Sequence, residues 1–281
     1  MFSLLSQSLK ASNTVIDDRG QTVHLDKPAK RIVSLAPDIT EILFAIGAGN
    51  KVVATINPSN YPLAAQKIMR VGSASGIDLE AIISLHPDLI VVWEHTFSRQ
   101  LLALQPFHIP VFTTAPHHLE DIPSIMRRLG GLTGTTQAAT QIAKKFSQQL
   151  AILYDHYHAQ QSLTVFYQLD AYSLITINKN SWINQVITLC GGQNIFAQAT
   201  FTAPVVSWES VLVANPQVIL SDSTELNWKK RWISWRQITA VKHRALFAIN
   251  PDLIERAGPR LLIGIADVCR DLQQARKTFA H

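Results

Sequence analysis

Apolar runs and helix-period stretches alternate along nearly the whole chain. Residues 14–30 alternate polar and apolar positions around Asp17-Asp18-Arg19-Gly20, which predicts a small hairpin. Residues 31–35 (RIVSL) predict a strand. Pro37 and Asp38 follow it, and Thr40-Glu41 open a helix closed by Gly47 and Gly49. Further strands are predicted at 52–56, 89–93, 111–113, 164–169, 217–221 and 245–249, and a flexible turn at 71–76. Helices are predicted near 97–106, 119–130, 182–189 and 207–214, with a closing helix over 258–272 and Pro259 in its first turn. Strands alternating with helices imply parallel sheets with helical cover.

One unit of this pattern occurs twice. Residues 78–91 read DLEAIISLHPDLIV and residues 207–220 read SWESVLVANPQVIL. Aligning Pro87 with Pro216 places Glu80 on Glu209, and the apolar positions around them match in type. Each copy reads as a short helix opened by an acidic residue, a proline that stops it, and a buried strand. From 135 to about 161 there is no proline or glycine, and Ala138, Ile142, Phe146, Leu150, Leu153 and Tyr157 recur at helical steps. A helix of about 25 residues would run about 37 Å. The expected fold class is therefore α/β. Two lobes, each a mostly parallel sheet flanked by helices, are joined by a single long helix, with a cleft between them. The expected divisions are 1–132, 133–161 and 162–281.

Composition narrows the function. With 281 residues, 47% hydrophobic and 16% charged, the chain has material for two packed cores. Its net charge of +5 is scattered, and the densest basic cluster is only Lys229-Lys230-Arg231. No long basic stripe or reading element accompanies it, so no nucleic-acid partner is expected. Cys190 and Cys269 suit either a disulfide or two buried thiols. A bridge would close a loop of about 80 residues, stabilise by roughly 4.5 kcal/mol and indicate an oxidising compartment. The first thirteen residues make a poor signal peptide, with serines throughout and no basic start. No apolar run is long enough to span a membrane.

No catalytic constellation stands out, and no enzyme activity is expected. Residues 72–76 (GSASG) resemble a nucleophile elbow with alanine at the nucleophile position. The sequence GGLTG at 130–134 follows a helix, not a strand, and reads as a cap. The ten histidines form no metal-ligand spacing, so neither a metal nor a cofactor is expected. Aromatic residues are more informative. Trp93 ends a strand and Tyr61 lies in a loop after one, and ligands of open α/β sheets bind beyond strand carboxyl ends. The polar loop 250–260 gathers Asp252, Glu255, Arg256 and Arg260 at the end of another strand, as donors and acceptors for a polar ligand edge.

Residues 31–47 (RIVSLAPDITEILFAIG), Tyr61-Pro62, 78–93, 190–196 (CGGQNIF), 207–220 and 255–269 together resemble the substrate-binding proteins of ABC importers for cobalamin and iron chelates. The resemblance covers about residues 30–275 and is strongest to the cobalamin binders within that family. It implies a periplasmic monomer holding a corrinoid, by expectation cobalamin, between its lobes, with haem or a ferric siderophore as the alternative. It implies that Glu80 and Glu209 dock on permease subunits, that Cys190 and Cys269 are bridged, and that Pro37, Tyr61, Trp93, Asp252 and Arg256 meet the ligand. Arg70, Arg256 and Arg260 are the cations that an anionic iron chelate would use. Two cleft tryptophans of the family fall here near Ala74-Ser75 and Ala203-Pro204, with Tyr172 and Trp208 as candidate replacements.

Overall fold

A computed structural model describes residues 13–170, 173–222 and 227–279. Residues 1–12, where the weak leader was read, and Tyr172 lie outside the described residues. The chain divides into two units. One takes the residues up to 115 with 123–144, and the other takes 116–122 with the residues from 145 on.

The first unit opens with the predicted hairpin, β1 (Thr14–Ile16) antiparallel to β2 (Thr22–His24). Then come β3 (Ile32–Ser34), α1 (Pro37–Ala45), β4 (Val52–Thr55) and β5 (Met69–Arg70). The expected flexible turn is a second small hairpin, β6 (Gly72–Ser73) with β7 (Gly76–Ile77). The first repeat copy supplies α2 (Leu79–Ser84) and β8 (Leu89–Trp93), followed by α3 (Ser98–Leu102), β9 (Val111–Thr114) and α4 (Asp121–Thr133). The main sheet has the order β5-β4-β3-β8-β9, all parallel. Helical crossovers bury both of its faces, which is why β8 reads as an unbroken apolar run. Val33, Ala54, Ile82, Ile90 and Val92 form the core of one face.

Helix α5 (Thr136–Tyr157) gives its residues to Lys144 to the first unit and the remainder to the second. It stops at Tyr157, the last apolar position of the periodic pattern, short of the expected 161.

In the second unit, β10 (Leu163–Gln168), α6 (Trp182–Leu189) and β11 (Gly192–Asn194) precede the second repeat copy, α7 (Trp208–Ala214) and β12 (Val218–Ser221). Then follow α8 (Trp228–Trp232), α9 (Thr239–Lys242), β13 (Leu246–Ala248), α10 (Pro251–Ile254) and α11 (Leu261–Phe279). The sheet order is β11-β10-β12-β13, again all parallel. Phe166, Val211, Ile219, Trp228 and Trp232 fill one face. Trp208 stacks on Trp235 at 5.1 Å, inside this cluster, which removes it as a replacement ligand ring. The closing helix starts at Leu261, so Pro259 sits in the turn before it. Among the described residues no helix is long and apolar enough to cross a membrane.

Candidate functional site

Each sheet has one point at which strand order reverses, and open α/β sheets bind ligands beyond the strand ends there. In the first unit the chain proceeds from β3 outward through β4 to β5, then returns to β8 on the other side of β3. Pro37 and Asp38 follow β3 directly, and Trp93 is the last residue of β8. The reversal thus brings Pro37, at the first turn of α1, to the same sheet edge as Trp93. The Trp93 Nε1–H donates to Asp38 Oδ2 at 2.9 Å. Asp38 is buried, 3% exposed, while Trp93 keeps part of its surface open. Burial raises the Asp38 pKa to about 7. The indole N–H opposes that rise and the nearby Glu41 carboxylate adds to it. A hollow of about 240 Å³ opens beside Trp93, lined also by Arg19, Glu94, Thr96 and Gln105.

Tyr61 stands in the loop between β4 and β5 and is 46% exposed. Arg70 at the end of β5 braces this loop. Its guanidinium donates to Asn57 Oδ1 at 3.1 Å and to the carbonyls of Ser59, Ala65 and Ile68 at 2.9 to 3.0 Å. Those bonds correct the reading of Arg70 as a cation for an anionic chelate, because its donors are directed into its own loop.

In the second unit the reversal lies between β10 and β12. Extending the repeat alignment by two residues puts Asp222 on the position of Trp93. Asp222 is buried, and Tyr167 of β10 donates its hydroxyl to Asp222 Oδ2 at 2.6 Å. Burial pushes the Asp222 carboxyl up to about 8, against the lowering effect of the Tyr167 hydrogen bond. Beyond β13, the Asn250 side chain caps α10 by accepting from Asp252 N at 2.9 Å. Asp252 and Arg256, one helical turn apart, form an ion pair at 2.5 Å with the guanidinium buried. Arg260 donates to the Asp252 carbonyl at 3.4 Å. Two contacts fix α10 from α6 and α11. Trp182 Nε1 donates to Ile254 O at 3.0 Å, and Gly264 allows the Leu253 backbone so close that a Cβ there would meet Leu253 O at 2.4 Å.

Glu80 and Glu209 are both exposed, each at the second position of its helix. The Asp78 side chain caps α2 by accepting from Ala81 N, and Ser207 caps α7 by accepting from Ser210 N. The Glu209 carboxyl is held below its ordinary pKa by its own backbone N–H and the Ser207 hydroxyl. Cys190, at the end of α6, is bridged to Cys269 of α11. Beside it Arg276 donates to the carbonyls of Gln161, Cys190 and Gly191.

Asp38, Tyr167 and Asp222 belong to this geometry although no sequence motif marks them. Only the repeat held a signal, because its alignment carries Trp93 onto Asp222. Among the described residues no three His, Cys, Asp or Glu side chains gather as a metal site would require.

The chain is 35% identical to the crystallised periplasmic vitamin B12 binding protein BtuF of Vibrio cholerae, covering 89% of this chain and 99% of that one with a TM-score of 0.83. The vitamin B12-binding protein of Vibrio parahaemolyticus is 31% identical over 254 residues, 90% of this chain and 92% of that protein. The periplasmic haem-binding protein BhuT shares the fold at a TM-score of 0.80 and 18% identity, covering 89% and 99% of the two chains. The periplasmic binding protein family matches residues 32–253, which contain both strand-order reversals, Trp93 and Asp252. On that match and those identities, this chain belongs to the periplasmic binding protein family.

Proposed function

We propose that the protein is the substrate-binding component of an ABC importer, and that it captures a corrinoid, cobalamin first among them, in the periplasm. The observation that carries this reading is the 35% identity to a vitamin B12 binding protein across 89% of the chain, with Trp93 at the sheet reversal where a ligand is expected. Tyr61 and Trp93 offer flat apolar surface to the corrin ring, and Pro37 a rigid neighbour. Asp252 and Arg256 offer polar groups to the ring's amide-bearing rim, preorganised by their own ion pair. The exposed Glu80 and Glu209 dock on basic residues of the permease. The protein acts as a monomer, carries no cofactor of its own and performs no covalent chemistry.

The test is a titration of purified protein with cyanocobalamin, haemin and a panel of ferric siderophores, followed by tryptophan quenching. Tight quenching by cyanocobalamin alone supports the reading. Quenching only by haemin or a siderophore replaces the ligand and keeps the transport role. Arg70 and Arg256 already have acceptors, which weighs against an anionic chelate.

A further inference from the structure

We infer that Ser59 is a positioning residue for Tyr61, and that a buried chain of hydroxyls from Ser34 through Thr40 and Thr55 to Ser59 ties the Tyr61 loop to the helical turn that orients Trp93. The inference rests on the reading of Tyr61 and Trp93 as ligand-binding residues.

The chain is continuous and dry. Ser34 ends β3, Thr55 ends β4, and the two are direct partners across the parallel ladder. Thr40 lies in the first turn of α1, and Ser59 in the loop that follows β4. All four residues are fully buried. Ser34 Oγ meets Thr40 Oγ1 at 2.8 Å, Thr40 Oγ1 meets Thr55 Oγ1 at 2.9 Å, and Thr55 Oγ1 donates to Ser59 Oγ at 2.7 Å. These three bonds are satisfied together when each hydroxyl donates to the next, an arrangement in which each bond polarises its neighbour. Packing alone asks for no hydroxyl at these positions. What the hydroxyls add is direction, because each O–H···O bond holds its two side chains in one geometry.

Ser59 is where that direction leaves the sheet. Its N–H donates to the Ile56 carbonyl at 2.9 Å, its own carbonyl accepts from Arg70 at 2.9 Å, and its hydroxyl accepts from Thr55. The loop is therefore fixed at Ser59 from the core side as well as from β5. Tyr61 follows two residues later with its ring exposed. The first turn of α1 thus serves both rings of the first unit. Asp38 accepts the Trp93 indole N–H, and Thr40 carries the hydroxyl chain towards Tyr61. Two apolar surfaces referred to one turn are set before a flat ligand arrives, which lowers the ordering cost of binding.

The experiment compares Thr55→Val, which keeps the shape and breaks the chain, with Thr55→Ser, which keeps the hydroxyl. Each is measured for cyanocobalamin affinity, for the fluorine resonance of Tyr61 in 3-fluorotyrosine-labelled protein (assigned by its absence in Tyr61→Phe), and for the ¹⁵N indole resonance of Trp93. T55V should weaken binding by about fivefold and move the Tyr61 line before ligand is added, with the Trp93 line in place. T55S should restore both. In a Tyr61→Ala background T55V should cost no further affinity, because its effect passes through that ring. An equal loss in both backgrounds, or a Tyr61 line that T55V leaves unmoved, overturns the inference. If T55V does not fold, Ser59→Ala breaks the chain at its last member and the same readouts apply. Failure of cyanocobalamin to bind wild type counts against the proposed ligand, and wild-type affinity in Y61A removes Tyr61 from the ligand site; in either case the Tyr61 line alone decides the role of Ser59.

Discussion

Trp93 presents its ring from the end of a strand because Asp38, 55 residues earlier, accepts its indole N–H at 2.9 Å. The acceptor is buried and the ring is partly open, so the bond turns a mobile aromatic side chain into a fixed surface. Asp38→Ala removes the acceptor, whereas Asp38→Asn keeps one. We expect D38A to weaken cyanocobalamin binding by about fivefold, from about 1 kcal/mol of lost hydrogen bonding, with D38N close to wild type. The indole resonance of Trp93 in a ¹⁵N-labelled sample checks the cause, because it should move in D38A before any ligand is added.

The same carboxyl sets a pH dependence of stability. Asp38 titrates at about 7 when folded, against an ordinary value of 3.8. A raised acid binds its proton better in the folded state, so its contribution is greatest below the unfolded value and declines as pH rises towards about 7. D38N lacks this slope. Relative to wild type it should gain up to about 4 kcal/mol between about pH 4 and pH 7, read as the difference between two urea-unfolding series.

Arg70 supports Tyr61 at a distance. Arg70→Ala withdraws donors from Asn57, Ser59, Ala65 and Ile68 together. The expected stability loss is about 1–3 kcal/mol. Cyanocobalamin binding should weaken more than in Arg70→Lys, which keeps a charge and part of the bonding. Urea unfolding and tryptophan quenching measured on both variants separate these effects.

Gly264→Ala tests whether α10 must lie where it does. The added methyl would meet the Leu253 carbonyl at 2.4 Å, so α10 has to move away from α11. Asp252 and Arg256 move with it. Binding should fall by about tenfold while the fold is kept, as judged by an unchanged far-ultraviolet circular dichroism spectrum.

Reversing both Glu80 and Glu209 to lysine addresses the docking role. Each side chain is exposed at the start of a short helix, so both substitutions are tolerated. Uptake through a reconstituted importer should be abolished and cyanocobalamin affinity unchanged. Uptake at the wild-type rate removes the two glutamates from the docking surface.

The strands were legible because apolar runs such as 89–93 and 217–221 have no competing period. Trp182–Leu189 and the helix of the second repeat were legible for the matching reason, a clear stripe behind a serine cap. Helix ends were harder to read. Pro37 takes the first helical position, so α1 begins three residues before Thr40. Pro106 splits the stretch 97–106 into α3 and a turn at Gln105–Phe107, since it has no N–H to continue a helix. The pieces α8, α9 and α10, of four or five residues, are too short to show a period. Trp93 and Tyr61 could be read from their place after strands. Asp38 could not, and Asp222 only through the repeat alignment, because each works through a partner 55 residues away that only sheet topology brings near.

The disulfide makes the two halves unequal before a reductant. Its covalent ring runs from Cys190 to Cys269 and encloses β11, β12 and β13, so three of the four strands of one sheet sit inside a closed loop, while the other sheet has no cross-link at all. Both sulfurs are buried, so a thiol reaches the bridge only when this half opens, and the cross-link that reduction then removes is lost from the half with Asp252 and Arg256 and not from the half with Trp93.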